Sequence, residues 1–214
     1  RAAKPGSPSA KSKASKDGAA SESSETAPVA EKAVAVEPEP VPGERVFLAR
    51  WKNPRATLGT LTGFAKVPRK VTEQLPQKMA AKLIGDVRRH VDRKAFAKNV
   101  VMSAPLDFAV VVDTSKRRRM PKPVAGYSVG LRSLDAARAA VTGELTPMGK
   151  HMWLIGAKDG YGTRCAIAAS TGGTSARLVC GERMRDLEKI GAYMARTLPT
   201  VNTPDVDMFA TLAL

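Results

Sequence analysis

Residues 151–181 carry the pattern that most constrains the fold. Two dipeptides, Asp159-Gly160 and Gly172-Gly173, divide this stretch into three segments that read as strands. Asp-Gly and Gly-Gly are typical of two-residue hairpin turns, and we expect a type I′ turn at the first of them. The predicted strands cover 151–158, 163–170 and 175–181. The pattern therefore predicts a three-stranded antiparallel β-meander.

The second turn also fixes the relation between the two cysteines of the chain. If it is centred on Gly172-Gly173, Cys165 lies opposite Cys180 on the neighbouring strand. Counting from a closing pair at residues 171 and 174 puts the cysteines at a hydrogen-bonded position, where facing side chains stand further apart. We therefore expect the thiols to be neighbours but reduced. We also expect them to hold no metal, because neither a third cysteine nor a histidine has suitable spacing.

Other segments add strands and helices around this meander. Further strands are predicted at 45–51, at 106–113 (fully buried) and at 124–131, with Tyr127, Val129 and Leu131 on one face. Helices are predicted from about Pro76 to Asn99, from the N-cap Ser133 to about Val141, and from about Arg183 to Leu198. We interpret 52–70 as an extended arm or loop and 142–150 as a loop, and leave 199–214 unassigned. These elements predict the α+β class: a largely antiparallel sheet of about five or six strands, packed against two or three helices.

The first 44 residues differ in composition from the remainder. They are rich in Ala, Ser, Pro, Lys and Glu and contain no aromatic residue, so they cannot bury enough apolar surface to offset the entropy of ordering. We predict a disordered or extended low-complexity tail at 1–44 and one basic domain at 45–214. The first residue is Arg1 and not methionine, which fits either processing or a cloned boundary.

Positive charge is concentrated in one contiguous part of this domain. Residues 45–122 contain 19 Lys and Arg against 5 Asp and Glu, a net charge of +14, whereas residues 123–214 carry +2 and the tail carries −1. Like charges brought together destabilise a compact state unless a polyanion screens them. The pattern favours a surface that faces nucleic acid. An acidic protein, an anionic membrane surface and a merely solvated surface remain alternatives, and no apolar run is long enough to span a bilayer.

Three features within residues 45–122 suggest how nucleic acid is held. An aromatic residue interleaves with cations in Arg50-Trp51-Lys52, where Trp51 either stacks on a base or anchors the strand in the core. A ridge of cations lies along one side of the predicted helix 76–99. A loop carries the run 116–119, which we interpret as a clamp on the phosphate backbone. The predicted nucleic-acid-binding residues are Arg50, Trp51, Lys52, Arg55, Lys66, Arg69, Lys70, Lys78, Lys82, Arg89, Arg93, Lys116, Arg117, Arg118, Arg119 and Lys122.

Residue patterns for catalysis, cofactors or metals are weak by comparison. His90 and His151 have no spacing that suggests a catalytic triad, and we interpret both as ordinary histidines. Asp107 and Asp113 flank a strand and are interpreted as caps or as partners of nearby cations. The Gly-rich stretch 170–175 lacks the spacing of a phosphate-binding loop. We therefore predict no catalytic, cofactor-binding or metal-binding site.

These observations favour a non-enzymatic structural subunit of a large nucleic-acid-containing assembly. The preferred hypothesis is an RNA-binding component of a ribonucleoprotein, similar in type to a ribosomal protein, that contacts phosphates and other protein subunits. RNA is favoured over DNA, and an organellar (mitochondrial) matrix is the favoured location. A virion capsid or core protein with a genome-facing basic surface is the alternative. An enzyme that acts on nucleic acid is less favoured, because the sequence shows no acidic cluster for a metal.

Overall fold

Eight strands form one antiparallel sheet in the computed structural model of the chain. The structure describes residues 36–112, 122–157, 162–171 and 174–213. The strands are β1 (Glu44–Trp51), β2 (Leu106–Val112), β3 (Pro123–Leu131), β4 (Leu145–Gly149), β5 (Met152–Ile155), β6 (Arg164–Ala169), β7 (Ala176–Gly181) and β8 (Met208–Leu212). The α-helices are α1 (Pro54–Phe64), α2 (Arg69–Leu83), α3 (Arg93–Asn99), α4 (Leu134–Ala139) and α5 (Met184–Arg196).

The order of the strands across the sheet is β4-β5-β6-β7-β3-β2-β1-β8, and every neighbouring pair is antiparallel. This arrangement confirms the α+β class, the strands β1 to β3 and the meander β5-β6-β7. The sheet has more strands than the five or six expected, and the described residues form five α-helices where two or three were expected. One additional strand, β4, forms where 142–150 was predicted to be a loop, and the other, β8, lies in the segment left unassigned.

Helices cover both faces of the sheet, and each face builds its own core. On one face α5 packs over a cluster that includes Leu154, Val179 and Ile190. On the other face α2, α3 and α4 pack over a cluster that includes Ile167 and Leu178. The coverage explains why β3 is buried on both faces beyond its first residues, although its alternating pattern predicts a half-exposed strand.

The burial of β2 also differs from the prediction. A nearly all-apolar strand was expected to be buried throughout, but burial alternates along it, with Asp107, Ala109 and Val111 buried and Phe108 exposed. An apolar composition does not itself show which faces of a strand are covered.

The segment 52–70 is largely helical, so its interpretation as an extended arm or loop is wrong. Pro54 occupies the first turn of α1, where its missing N–H costs nothing. The side chain of Asn53 caps this helix by accepting a hydrogen bond from Ala56 N at 3.0 Å. The Pro and Gly residues that suggested a loop are tolerated in this cap and on the exposed side of the helix.

The single helix predicted over 76–99 is two helices with a break between them. Helix α2 begins earlier, at Arg69, and ends at Leu83, and a short 3-10 helix follows at Gly85–Val87. Helix α3 begins after Asp92, whose carboxylate accepts hydrogen bonds from Lys94 N and Ala95 N. Val87 and Val91 are buried as their spacing suggested. Helical spacing of apolar residues therefore persisted across a segment that is not a continuous helix.

Helix α4 begins after its predicted N-cap. The side chain of Ser133 accepts a hydrogen bond from Ala136 N at 3.1 Å.

The hairpin predictions are confirmed in part. Strand β5 ends at Ile155 and not at Lys158, and Gly156 follows with a φ of +87°, so the β5–β6 connection is longer than two residues. The predicted turn residues Asp159-Gly160 and Gly172-Gly173 lie outside the described residues.

The cysteines are neighbours as predicted, but they are not reduced. Cys165 pairs with Cys180 in the β6–β7 register, and their sulfurs form a disulfide at 2.04 Å. Ser170 N donates a hydrogen bond to Ser175 O at 3.2 Å, so residues 170 and 175 are a hydrogen-bonded pair. Hydrogen-bonded pairs recur at every second position counted from this pair, and not from residues 171 and 174 as predicted. The cysteines therefore occupy a non-hydrogen-bonded position, with Cα atoms 4.0 Å apart, where facing side chains approach closely.

Helix α5 comes very close to the end of β7, because Gly181 has no side chain. A Cβ atom at this position would lie 2.7 Å from Leu187 N and 3.1 Å from Leu187 Cα. We expect Gly181→Ala to lower the free energy of unfolding by about 2 kcal/mol, since backbone must move to accommodate the methyl group. Denaturant unfolding measures the change. Gly85→Ala is the control, because nothing lies within 4 Å of its Cβ position; equal effects of the two variants would contradict the prediction.

Residues 36–43 lie against the domain ahead of β1. Glu39 N donates to Thr197 Oγ1 at 2.8 Å, and the Glu39 carboxylate forms an ion pair with Lys150. This part of the predicted tail 1–44 therefore contacts the fold, and residues 1–35 lie outside the described residues. Within the described part of the chain, each helix is too short or too polar to span a bilayer.

Candidate nucleic-acid interface

The helical segment 54–99, which we call the basic layer, concentrates exposed positive charge on one side of the sheet. It contains eleven Lys and Arg residues and three acids, and all eleven cationic side chains are exposed. The eleven are Arg55, Lys66, Arg69, Lys70, Lys78, Lys82, Arg88, Arg89, Arg93, Lys94 and Lys98. Helices α2 and α3 bury their apolar sides in the core, so their long cationic side chains face solvent.

The three acids of the basic layer neutralise little of this charge. Glu73 pairs with Arg69 at 2.8 Å on the exposed surface of α2. Asp86 accepts a hydrogen bond from Tyr127 Oη at 2.9 Å, and Asp92 caps α3. Burial raises the pKa of Tyr127, and the bond to Asp86 raises it further, so the phenol stays neutral and keeps donating. Within the described residues, ten of the eleven cations therefore have no ion-pair partner.

The opposite helical layer is nearly balanced in charge. Residues 182–196, which include α5, contain four cations and three acids. Arg183 lies 3.8 Å from Glu182, and Arg185 lies 3.8 Å from Asp186. The charge asymmetry seen along the sequence is thus an asymmetry between the two faces of the fold.

The predicted ridge of four cations is not a single helical face. Lys78 and Lys82 lie on α2, Arg89 lies in the connection that follows the 3-10 helix, and Arg93 begins α3. All four are nevertheless exposed on the basic layer. The sequence analysis missed Arg88, Lys94 and Lys98 there. Lys94 and Lys98 are spaced by four residues, a signal that could have placed them on one exposed face.

Arg50, one of the predicted nucleic-acid-binding residues, is buried. It is 5% exposed, and its Nε donates to Asp107 Oδ1 at 2.5 Å. Its Nη1 donates to Val201 O at 2.9 Å, and its Nη2 donates to Leu198 O. The guanidinium is therefore engaged inside the fold and is not available to a phosphate. The prediction that Asp107 is a partner for a cation is confirmed.

A second arginine, Arg177 on β7, completes this buried cluster. Its Nη2 donates to Asp107 Oδ2 at 2.9 Å and to Pro105 O at 2.7 Å, and its Nε donates to Ser128 Oγ at 3.1 Å. Burial lowers the pKa of Arg177 to about 10. The neighbouring Asp107 carboxylate raises this pKa, and the Arg50 guanidinium lowers it. The guanidinium is still charged at neutral pH. One carboxylate thus bridges two buried guanidinium groups, and the cluster joins β1, β2 and β7.

The remaining residues of the Arg50-Trp51-Lys52 motif lie near the start of α1. Trp51 is half-buried, and its Nε1 donates to Thr57 Oγ1 at 2.9 Å. Lys52 is exposed and pairs with Asp205 at 2.5 Å, and Arg55 is exposed on the first turn of α1. The indole contacts the protein on one side, which fits its predicted role as an anchor better than a free stacking platform.

The basic run Lys116–Arg119 lies outside the described residues, in the segment that connects β2 to β3. Lys122, next to this segment, is exposed and immediately precedes β3. Lys66, with a φ of +50°, and Lys70 are exposed at the junction between α1 and α2.

Other chemically interesting residues do not assemble into a reactive site within the described part of the chain. His90 is half-buried in close contact with Gly143 and Gly156, where an added Cβ would lie 3.1 Å from the imidazole. His151 is exposed in the β4–β5 turn. No group of three His, Cys, Asp or Glu side chains lies close enough to hold a metal ion among the described residues.

Comparison with known proteins adds no relative. No family model, no curated protein and no solved structure matches the chain. The inference of function therefore starts from the charge and contacts of its own residues.

Proposed function

We propose that this protein is a non-enzymatic structural subunit of a large nucleic-acid-containing assembly and binds the phosphate backbone, with RNA favoured over DNA. The observation that carries the proposal is the basic layer: eleven exposed cations, ten of them without an ion-pair partner in the described residues. Such a surface binds a polyanion with release of counterions, and this supplies affinity without base recognition.

The form of the basic layer favours backbone contact over sequence reading. Its cations are spread over α1, α2, α3 and their connections, and they are not placed along one helix that could enter a groove. Phosphate contacts fix position and orientation, whereas reading of sequence needs side chains directed at base edges. A subunit of this kind is positioned by its assembly, as in a ribosomal-protein-like component of a ribonucleoprotein.

A capsid or core protein of a virion, with its basic surface facing the genome, is the second candidate. The Cys165–Cys180 disulfide supports it, because disulfides persist in oxidising environments, which include virion surfaces, and are rare in reducing ones. The same observation argues against the mitochondrial-matrix location expected from the sequence. Identification of the nucleic acid and proteins that co-purify with the native protein distinguishes the two candidates.

Neutralising part of the basic layer tests the proposed function. We expect Lys78→Gln, Lys82→Gln, Lys94→Gln and Lys98→Gln together to weaken RNA binding to a similar degree for unrelated sequences. The slope of log affinity against log salt should fall by about 0.7 for each phosphate that is no longer neutralised on a single strand, and by about 0.9 for each one on a duplex. Fluorescence anisotropy over a salt series measures both quantities.

The matched control neutralises the opposite layer. Arg183→Gln with Arg185→Gln removes exposed charge from the α5 side. We expect only the small change in the salt slope that follows from the lower net charge of the protein. A parallel variant with Lys116–Arg119 neutralised tests the predicted clamp in the same assay. If the quadruple variant keeps the wild-type slope and affinity, the basic layer is not the nucleic-acid surface.

A further inference from the structure

Three of the eight strands have no helix over one of their faces among the described residues. On β3, β6 and β7 this face is buried beneath α2, α3 and α4. On β2, β1 and β8 the same face leaves Phe108 37% exposed, Met208 60% exposed and Leu212 65% exposed. We call this surface the open face. It consists of Phe47, Ala49, Phe108, Val110, Met208, Ala210 and Leu212.

Two aromatic rings lie at the centre of the open face. Phe47 on β1 and Phe108 on β2 form an edge-to-face pair, with ring centroids 5.8 Å apart and an interplanar angle of 69°. Together with the exposed apolar residues of the neighbouring strands they form a contiguous patch, and the largest apolar patch of a protein is often functional. Aromatic side chains on an uncovered sheet are a recurrent platform for nucleic-acid bases, because every base has a face that can stack on a ring.

The basic layer lies on the same side of the sheet as the open face, whose two ends carry charges of both signs. At the end marked by Trp51 and Met208, Arg55 is exposed, and Lys52 pairs with Asp205. Exposed Asp207 precedes β8 at this end. At the other end, exposed Lys122 precedes β3, and exposed Glu44 pairs with Val112 in the β1–β2 register. The bond from Trp51 Nε1 to Thr57 also places α1, the start of the basic layer, on this side of the sheet. An apolar aromatic centre beside the cationic basic layer is complementary to stacked bases joined by phosphates.

We propose that the open face binds the bases of a single-stranded RNA segment, with Phe108 as the principal stacking residue. This inference rests on the proposed function and adds to it the form of nucleic acid that is bound. The seven residues of β2 span about 23 Å, and three strands span about 14 Å, which gives roughly 300 Å². That area suits two or three stacked bases. It is well below the roughly 800 Å² that each partner contributes to a stable protein interface.

The size and charge of the surface also argue against a second copy of this chain as the occupant. Two copies that met face to face at this surface would bring their basic layers toward each other, and like charges at an interface oppose association. A base-stacking segment needs neither a larger area nor an acidic partner.

The test compares single-stranded and duplex RNA in anisotropy titrations of the full chain. The probes are a poly-uridine strand of about 12 nucleotides, which falls within the usual site sizes, and a mixed-sequence duplex of equal length. We expect Phe108→Leu, which keeps an apolar side chain but removes the ring, to weaken single-strand binding about 5- to 100-fold. Duplex binding through the basic layer should change less than about 2-fold.

Two further variants sharpen the result. Phe108→Tyr keeps the ring and should recover most of the single-strand binding that Phe108→Leu removes. Leu61→Ala removes a more exposed apolar side chain from α1, outside the open face, and should leave both titrations unchanged. Circular dichroism and thermal unfolding confirm that each variant is folded.

Two outcomes would overturn the inference. One is single-strand binding that Phe108→Leu does not alter, while the basic-layer variant weakens both probes; the proposed function then survives without the open face. The other is a wild-type dimer in sedimentation velocity that Phe108→Leu converts to monomer without loss of RNA binding, which assigns the surface to a second copy. Unchanged binding of both probes by the basic-layer variant would instead contradict the proposed function itself.

Discussion

Asp107→Ala is expected to lower the free energy of unfolding by about 3–5 kcal/mol, because it leaves two buried guanidinium groups without a counter-charge. Asp107 has no exposed surface, and its two oxygens accept from Arg50 at 2.5 Å and from Arg177 at 2.9 Å. Both arginines are buried, so neither guanidinium can turn to solvent for compensation. Chemical denaturation of wild type and variant measures the loss, and a change below about 1 kcal/mol would contradict this account.

A triple variant separates the cost of an uncompensated charge from the value of the cluster. Replacing Arg50 and Arg177 by methionine and Asp107 by leucine removes all three charges while keeping a similar total side-chain volume. We expect this variant to be more stable than Asp107→Ala, since buried ion pairs are often replaceable by apolar residues at little cost. A triple variant less stable than the single one would show that backbone hydrogen bonds of the arginines, such as Arg177 to Pro105 O, dominate.

Removing the disulfide is the second change with a large expected effect. Cys165→Ala with Cys180→Ala should lower the free energy of unfolding by about 3 kcal/mol, because the bond closes a loop with a sequence separation of 15 in the unfolded chain. When reductant is added during denaturant unfolding, the free energy of unfolding of the wild-type protein should fall, and that of the variant should not change. Both cysteines are almost fully buried, so reduction of the folded protein should be slow.

Mass spectrometry of alkylated protein gives the control for this prediction. Without reductant, the wild-type chain should incorporate no alkylating label at either cysteine after unfolding. Two labels per chain in freshly purified protein, together with equal stability of the two proteins, would restore the reduced state that the sequence suggested.

The parts of the fold that could be predicted from sequence are those with local signals. Turn dipeptides indicated the β5-β6-β7 meander, and Ser133 marked the start of α4. The errors came from signals that other residues override. Asn53 and Pro54 begin a helix in a segment whose other Pro and Gly residues suggested a loop. Apolar residues at helical spacing continued past the end of α2 to Val87 and Val91, although a short 3-10 helix and a connection to α3 follow there.

The candidate interface could be predicted as a charge distribution but not as a set of contacts. The excess of cations at 45–122 is a property of the sequence, and the basic layer is its expression on one side of the sheet. Arg50 resembled its exposed neighbours in sequence, and only its pairing with Asp107 reveals that it is structural. Phe108 looked like a core residue, because the sequence does not show that β1, β2 and β8 have no covering helix on that face within the described residues.

The order of the strands has a consequence for synthesis of the chain. Strands β1, β2 and β3 are made first, but β3 pairs with β7 and β1 pairs with β8, the last strand in sequence order. At about 5–20 residues per second, both edges of the early three-stranded sheet stay unpaired for on the order of 10 s. Unpaired edges recruit other chains. Ribosome-bound chains that end before Met208 should therefore aggregate through β1, beside Phe47, until the last strand emerges and covers that edge.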